Sequence, residues 1–458
     1  MKKKALTLIL SLSVTATLLA GCGGTEDSAK EGEATEDVAE DGTDNAPTDT
    51  TPETSSGDEQ VTIRFAWWGG DERAEATLAV IDQFEKLHPN VTIEAEYGGN
   101  DGYHDKLATS LASGTAADIV QVDPETFPTY VEAGDYFYDY TELGMDLSNF
   151  DEAYISLEIN GRYDGKQIGL PSGISGAGLL VNKDLADKIG IDFTKPYDWN
   201  DLIEMGKKVK EYDENLYLLS MNKEYITNLI VFNYGKQLAG GTFADPDANA
   251  IKITKDQLEE VYAYVKQLFD EGVIPPASYQ ASYSGDELQN DTNWIEGNYV
   301  ATFTYISTMD VMAAANPNVT YYAGQIPKLS NASEAGWASN TPQVFAITKT
   351  SEHPEVAAEF MDYFFNNEQA METLGTTRSV PPTEKARKIC SDAGILSEWT
   401  MEGANIAAAM GGTPNDKISS TNEAKEILFD AVESVGYGAK DPATAAEETL
   451  KLLSGLVE

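Results

Sequence analysis

Hydrophobic and polar residues alternate along the chain from residue 61 and then change to a helical spacing. Apolar side chains take every second position from Val61 to Trp67, as expected for a β-strand with one buried face. After a Gly-Gly pair, apolar residues recur at helical intervals through Leu87, which predicts an amphipathic helix. Residues 91–97 predict a second strand, so the folded body opens with a β-α-β unit.

The alternation of strands and helices continues beyond this unit. Residues 103–112 predict a second helix, and the mostly apolar residues 118–122 predict a third strand. Strands that alternate with helices indicate a sheet with helices on both faces. Ligands of such sheets collect beyond the carboxyl ends of the strands. We therefore expect binding residues directly after the first and third strands.

Aromatic and charged residues follow both of these strands. Aromatic rings pack against the C–H faces of pyranoses, and charged groups pair with sugar hydroxyls in planar geometry. The parity of Trp67 also suits a place in the core. Asp71 and Glu72 would also favour a helix start through the helix dipole. The candidates from these two segments are Trp67, Trp68, Asp71, Glu72, Arg73, Asp123 and Glu125.

The amino terminus has the layout of a bacterial secretory signal. Three lysines precede the uncharged run 5–20, which is short for a spanning helix of roughly 20 apolar residues. The run ends in Leu19-Ala-Gly-Cys22, which is similar to a lipoprotein lipobox, where the cysteine takes diacylglycerol. We expect residues 1–21 to be removed and Cys22 to carry lipid. An ordinary signal with a chance cysteine is the alternative.

Residues 22–60 are predicted to form a disordered acidic tether. From Gly23 to Gln60 there are 13 acidic residues, a single lysine and no aromatic residue. Such a segment buries too little apolar surface to offset its ordering entropy, and its charges repel one another. The expected arrangement is a globular body lipid-anchored at the extracellular face of the cytoplasmic membrane, as on a Gram-positive cell surface.

Net charge and cysteine count narrow the choice of partners. The 458-residue chain carries a formal charge of −45, which argues against nucleic acid and anionic lipid surfaces. It has two cysteines, so Cys390 has a disulfide partner only if Cys22 escapes lipidation. We expect Cys390 to be a buried thiol. About 400 residues follow the tether, which suggests two lobes.

A series of short motifs resembles the family 1 extracellular solute-binding proteins of carbohydrate ABC transporters, and the resemblance spans residues 61 to about 450. The motifs lie at 67–73, 102–107, 114–119, 137–139, 165–171, 181–183, 196–199 and 377–382. The resemblance implies an α/β fold of the type II, maltose-binding-protein-like kind, in which two lobes joined by a hinge hold a sugar without changing it.

The same resemblance places the lobe boundaries. It puts residues 61–174 and 320–372 in the amino-terminal lobe, and residues 175–319 and 373–458 in the carboxyl-terminal lobe. Residues 172–177 depart from the arginine- or asparagine-containing loop that many relatives carry there. The identity of the sugar therefore stays open.

The resemblance also adds candidate ligand-binding residues. Tyr103 joins the first-lobe candidates, and Tyr225 and Tyr305 are stacking candidates for which core packing is the alternative. Trp337 lies in an irregular polar stretch before a predicted strand, so we expect it to contact the ligand. Arg378 precedes two prolines and is a further candidate, with a surface ion pair as the alternative.

Motifs for catalysis and metal binding are largely missing from the sequence. It has no P-loop and no G-x-S-x-G motif, and its three histidines lie far apart. Asp245-x-Asp247-x-Asn249 resembles the start of a calcium loop, but Ala250 and Asp256 occupy the positions that need Gly and Glu. We expect no cofactor and no metal. A glycoside hydrolase needs only two carboxylates, so the sequence leaves that alternative open.

Together these patterns predict a monomeric, lipid-anchored receptor. It would capture an oligosaccharide between its lobes and deliver it to the transmembrane subunits of an ABC permease. The ligand would shift the population towards a closed form by binding that form more tightly. A sugar-sensing or adhesion receptor without transport is the alternative from another class.

Overall fold

Two mixed β-sheets, each packed against helices, organise the folded part of the chain. The computed structural model describes residues 60–100, 102–283 and 288–457. The expected signal peptide, Cys22 and the tether up to residue 59 lie outside the described residues.

The strands of the described ranges are mostly short, and four of them have seven or eight residues. They are β1 Val61–Trp68, β2 Val91–Gly98, β3 Ile119–Val122, β4 Arg162–Tyr163, β5 Lys166–Gln167, β6 Leu170–Pro171, β7 Ser175–Asn182, β8 Tyr217–Leu219, β9 Ala244–Asp245, β10 Ala250–Ile251, β11 Tyr299–Tyr305, β12 Tyr321–Gly324, β13 Ser339–Asn340 and β14 Val344–Ile347.

The helices range from single turns to 17 residues. They are α1 Asp71–Leu87, α2 Tyr103–Ser113, α3 Phe127–Ala133, α4 Glu152–Ile155, α5 Lys183–Ile189, α6 Trp199–Tyr212, α7 Lys223–Tyr225, α8 Phe232–Ala239, α9 Lys255–Asp270, α10 Ala277–Gln280, α11 Thr292–Ile295, α12 Met309–Ala315, α13 Pro354–Asn366, α14 Glu368–Leu374, α15 Glu384–Asp392, α16 Glu398–Met410, α17 Asn422–Gly436 and α18 Pro442–Ser454. A π-helical segment, Ile226–Val231, joins α7 to α8.

The first sheet has the strand order β2-β1-β3-β14-β6, with helices on both faces. β1 runs parallel to β2 and β3, whereas β14 is antiparallel to β3. Ile63 and Phe65 face a core that includes Phe84 of α1 and Phe360 of α13. On the opposite face, Leu107 of α2 belongs to a separate apolar cluster with residues of β3. The predicted β-α-β opening is confirmed.

The second sheet has the strand order β12-β7-β11-β8, and β13 pairs with the start of β7. Its core contains residues of α6, α9, α17 and α18, with Trp199 and Tyr262 among the largest fully buried side chains. Thr254 and Gln257 form a capping box at the start of α9. It pairs two backbone N–H groups that the first helical turn leaves without partners.

Three chain segments pass side by side between the two sheets, and they contain residues 172–174, residue 343 and residue 380. The N–H of Ser172 donates to the carbonyl of Gln343 at 2.9 Å, and the N–H of Ile174 donates to that of Val380 at 2.8 Å. β12 pairs with β7, so the chain rejoins the first sheet only at β14 and not at residue 320 as expected. Two α/β lobes therefore follow from the sheet pairing, whereas the remaining lobe boundaries stay predictions.

Two smaller expectations concern Cys390 and the acidic repeat at 245–249. Cys390 is fully buried as expected, and burial raises the pKa of its thiol to about 11. The side chain of Asp245 accepts the N–H groups of Asp247 and Ala248 in the turn between β9 and β10. That carboxylate therefore already has local partners in a hairpin turn. Within the described ranges, no set of three or more His, Cys, Asp or Glu residues is arranged to hold a metal ion.

Among the helices in the described part of the chain, none is both long enough and apolar enough to cross a membrane.

Candidate functional site

The carboxyl ends of the parallel strands β1 and β3 form one edge of the first sheet. Phe65 pairs with Ile119, so Trp68 at the end of β1 and Asp123 just after β3 reach the same edge. Helix α1 begins three residues after Trp68. This edge is where an open α/β sheet offers a ligand site.

Arg73 links the two candidate segments. Its guanidinium lies 5.3 Å from the centre of the Trp68 ring and donates to the Trp68 carbonyl at 3.2 Å. Burial lowers the pKa of Arg73, and the negative charge of Asp123 opposes that shift. Trp68 is half-buried, and its indole N–H has no partner in the described part of the chain. The predicted residues Trp68, Arg73 and Asp123 are thus brought together.

Asp123 pairs with a histidine that the sequence did not single out. His104 Nε2 lies 3.0 Å from Asp123 Oδ2. The other carboxylate oxygen, Asp123 Oδ1, and the other ring nitrogen, His104 Nδ1, are buried without a hydrogen-bond partner among the described residues. These atoms leave hydrogen-bonding capacity at the sheet edge that the described chain does not use.

Tyr103 lies beside this pair, but its hydroxyl is already engaged. The hydroxyl is within hydrogen-bond distance of the carbonyls of Gln121, at 2.8 Å, and Ala66, at 3.1 Å. Burial raises the pKa of Tyr103 above its ordinary value. The side chain therefore connects α2 to the strands β1 and β3.

The remaining acidic candidates lie on the exposed rim of the edge. Asp71 and Glu72 occupy the first turn of α1, where their charges complement the helix dipole, and both are exposed. Glu125 is also exposed, in the turn before α3. Their position adds negative charge near the site.

Trp67 lies in the core of the first lobe. Its side chain is fully buried and stacks on Tyr97, with the ring centres 5.0 Å apart. Trp67 therefore has the core position that the alternation along β1 suggested, and its assignment to ligand contact is corrected.

Arg378 is buried. This corrects both of its expected roles, which were ligand contact and a surface ion pair. It donates to Gln121 Oε1 at 2.7 Å and to Thr77 Oγ1 at 2.8 Å, and it lies 4.9 Å from the centre of the Phe345 ring. Burial, with Arg73 nearby, holds the pKa of Arg378 well below its ordinary value. Gln121 in turn donates to the Trp68 carbonyl at 3.1 Å. Arg378 therefore helps to hold the Trp68 backbone in place through Gln121.

The second-lobe candidates form a separate pair. Tyr225 and Tyr305 make an edge-to-face contact with ring centres 5.8 Å apart. Tyr225 is buried, whereas Tyr305 is half-buried at the carboxyl end of β11. Next to Tyr225, Glu224 lines a 130 Å³ cavity and has a buried Oε2 without a partner in the described ranges.

Trp337 belongs to the core of the second lobe. It is 2% exposed, stacks on Trp199 with ring centres 5.9 Å apart, and donates to the carbonyl of Pro327 at 2.7 Å. Phe303 packs against it at 5.5 Å. The expectation that Trp337 contacts the ligand is therefore corrected, because aromatic side chains distant in sequence enclose it.

Sequence reasoning missed His104 and Tyr97. His104 is the second residue of α2, and its neighbour Tyr103 was already a candidate, so the position of the helix start was the available signal. Tyr97 is the last residue but one of β2, which runs parallel to β1, and it is 51% exposed. It lines a groove of about 1030 Å³ that continues along α2 past Lys106 and Ser110.

Comparison with known proteins places the chain in a family. The sequence profile described as bacterial extracellular solute-binding protein matches residues 70–371, which is more than half of the chain. The chain therefore belongs to this family. The match agrees with the two α/β lobes.

A curated protein and two solved structures illustrate the relationship. The chain is 24% identical over 307 residues to the arabinooligosaccharide-binding protein of Halalkalibacterium halodurans, covering 64% of each sequence. It shares the fold of a family 1 extracellular solute-binding protein from Alicyclobacillus acidocaldarius, with a TM-score of 0.77, 22% identity and coverage of 87% and 99%.

The periplasmic oligogalacturonide binding protein of Yersinia enterocolitica also has this fold, with a TM-score of 0.67 and 24% identity. The match covers 87% of this chain and all of that one. The fold is therefore the two-lobe fold of the periplasmic binding proteins.

Proposed function

We propose that this protein captures an oligosaccharide between its two lobes and delivers it to the permease of an ABC importer. The observation that carries the proposal is the cluster of Trp68, Arg73, His104 and Asp123 at the carboxyl edge of the first sheet. It joins an aromatic face to charged groups and to buried polar atoms that lack partners in the described chain. Such a combination suits a ring that carries both C–H and O–H groups.

The names of relatives support carbohydrate as the class of solute. One relative of similar sequence is an arabinooligosaccharide-binding protein, and one protein of the same fold binds oligogalacturonide. Tyr305, at the carboxyl end of a strand in the other lobe, supplies the opposing aromatic surface in this proposal. The sugar then holds the lobes together, because it gains contacts from the second lobe only in the closed form.

The proposal includes a lipid anchor at Cys22. A diacylglycerol on Cys22, followed by an acidic segment to Gln60, would keep the binding body near the permease while it searches for sugar. The site residues act by binding alone, and the sugar leaves unchanged.

Calorimetry with a panel of saccharides tests the proposal. The protein is titrated with arabinotriose, maltotriose and digalacturonic acid, and each mixture is then analysed by chromatography. We expect saturable binding of at least one saccharide and its full recovery. Cleaved saccharide would favour a glycoside hydrolase instead. Growth on the bound sugar that survives deletion of the protein would favour a sensing or adhesion receptor.

A further inference from the structure

A groove of about 1030 Å³ begins beside the edge site, which is the cluster of Trp68, Arg73, His104 and Asp123. Gly98 at the end of β2 lines the groove and is the register partner of Trp68. From there the groove follows α2 from Tyr103 to Ser113. The 11 residues of α2 make this side of the groove about 16 Å long. The groove therefore starts at the edge site and leads away from it.

Tyr97 presents a fixed aromatic surface at the end of the groove that adjoins the edge site. Its ring stacks on that of Trp67, with the ring centres 5.0 Å apart and the planes 12° apart. Trp67 is fully buried and holds the Tyr97 ring in one orientation, whereas Tyr97 itself is 51% exposed. The rim beside it is open, because a Cβ added at Gly98 or Gly99 would meet nothing within 4 Å. A fixed, exposed aromatic ring suits the C–H face of a sugar.

The wall formed by α2 offers both acceptors and donors. Ser110 Oγ donates to the carbonyl of Leu107 at 2.9 Å, so the hydroxyl keeps its lone pairs as acceptors. The Lys106 ammonium has three N–H groups and reaches Glu96 Oε2 with one of them, at 3.4 Å. The Lys106 side chain is 76% exposed, so its other N–H groups face outwards. A sugar hydroxyl both donates and accepts, and it can therefore pair with either side chain.

The charged side chains that line the groove balance one another. Arg64 and Lys106 are positive, and Glu96 and Asp105 are negative, so their formal charges cancel. Arg64 Nη1 lies 3.1 Å from Glu96 Oε1, which makes an ion pair of the two groups. The acidic segment that precedes β1 finds no excess of positive charge here to attract it. A chain of hydroxyl-bearing sugar rings needs no such excess.

The size of the groove indicates a ligand of several rings. Pockets that enclose a drug-sized ligand measure about 300–1,000 Å³. The groove reaches the upper end of this range without counting the edge site itself. A single sugar ring would leave most of it empty.

We propose that this groove holds the outer units of a long oligosaccharide whose first units occupy the edge site. The inference rests on the proposed function and deepens it, because it makes the ligand a chain long enough to run along α2. Tyr97 is then a stacking residue for the outer units, and Lys106 and Ser110 contact their hydroxyls.

Saccharides of one series and two lengths test the proposal. The wild-type protein is titrated by calorimetry with arabinotriose and arabinohexaose, with maltotriose and maltohexaose, and with digalacturonic and hexagalacturonic acid. In a series that binds, we expect the longer saccharide to bind about tenfold more tightly than the shorter one. The reason is that only the longer chain reaches Tyr97 and the wall of α2.

Two groove variants distinguish the groove from further positions within the cleft. Tyr97→Ala removes the stacking surface, and Lys106→Ala removes the exposed donor. Each should reduce the gain in affinity of the longer saccharide and leave the affinity for the shorter one unchanged. Tyr437→Ala and Lys86→Ala are the matched controls and should keep the gain. Tyr437 is also 51% exposed, the side chain of Lys86 is 69% exposed, and both lie outside the groove.

The outcomes separate the groove from the proposed function. If neither length of any series binds, both are overturned. If the two lengths bind equally well, or if both groove variants keep the full gain, the groove is overturned and the function stands. A gain that appears only in high salt would also overturn the groove proposal, because the acidic segment would then fill the groove at low salt. Lys106→Ala alters only an exposed side chain, so it keeps the test decisive where Tyr97→Ala does not fold.

Discussion

Replacing Trp337 with alanine distinguishes core packing from ligand contact. The indole stacks on Trp199, packs against Phe303 and donates to the carbonyl of Pro327. Removing a buried aromatic side chain of this size costs about 3–5 kcal/mol. In a lobe of roughly 200 residues, a loss of this size lowers the melting temperature by on the order of 10 °C. We therefore expect a large loss of stability from Trp337→Ala.

A conservative variant separates the stability contributed by the indole N–H from that contributed by the ring. Trp337→Phe keeps most of the ring and loses the N–H, but the Pro327 carbonyl also accepts from Gln237 Nε2 at 3.2 Å. No buried acceptor is left unpaired, so the expected cost is about 1–2 kcal/mol. The order of stability should be wild type, then Trp337→Phe, then Trp337→Ala.

The assay combines thermal unfolding with calorimetry on the saccharide that the wild type binds. Trp68→Ala is the counterpart, because Trp68 is half-buried at the proposed site. It should weaken binding by roughly 1–3 kcal/mol with a smaller change in melting temperature. A Trp337→Ala protein that melts like the wild type but no longer binds sugar would refute the core assignment and restore the role suggested by its polar neighbours.

Three further predictions concern packing, charge and the anchor. Gly412→Ala should destabilise the protein in thermal unfolding, because its Cβ would lie 2.3 Å from the Trp337 carbonyl oxygen, whereas Gly241→Ala meets nothing within 4 Å and should be neutral. Burial lowers the pKa of Lys236 to about 8. The unfolded chain therefore binds the extra proton between pH 8 and 10.5, so stability gains up to on the order of 3 kcal/mol over that range. Lys236→Met should remove this rise from urea unfolding curves, and an unchanged pH dependence would contradict it. Cys22→Ser should release the protein from the membrane fraction, and its retention there would rule out the proposed anchor.

Local patterns were sufficient to predict the first lobe's opening. The spacing from Val61 to Leu87 gave a strand and a helix whose observed ends lie close to those expected, because each element buries one face in a regular period. Ligands of such sheets bind beyond the carboxyl ends of the strands, and this rule predicted Trp68 and Asp123 as site residues. The structure brings both residues to one edge of the sheet.

Long-range packing was beyond the reach of local patterns. Arg378 is bound to Thr77, 301 residues away, and nothing around it in sequence shows that it is buried. Trp337 lies among small and polar residues, yet its neighbours in space are Trp199 and Phe303. The role of His104 depends on how α2 packs near the end of β3, and the local sequence pattern does not show this contact.

Small-angle X-ray scattering with the bound saccharide is the most direct test of capture between the lobes. We predict that the radius of gyration falls on saturation with sugar, that the same sugar leaves Trp68→Ala expanded at matched concentration, and that the saccharide is recovered intact. Scattering curves that are identical with and without a saturating saccharide would contradict the account.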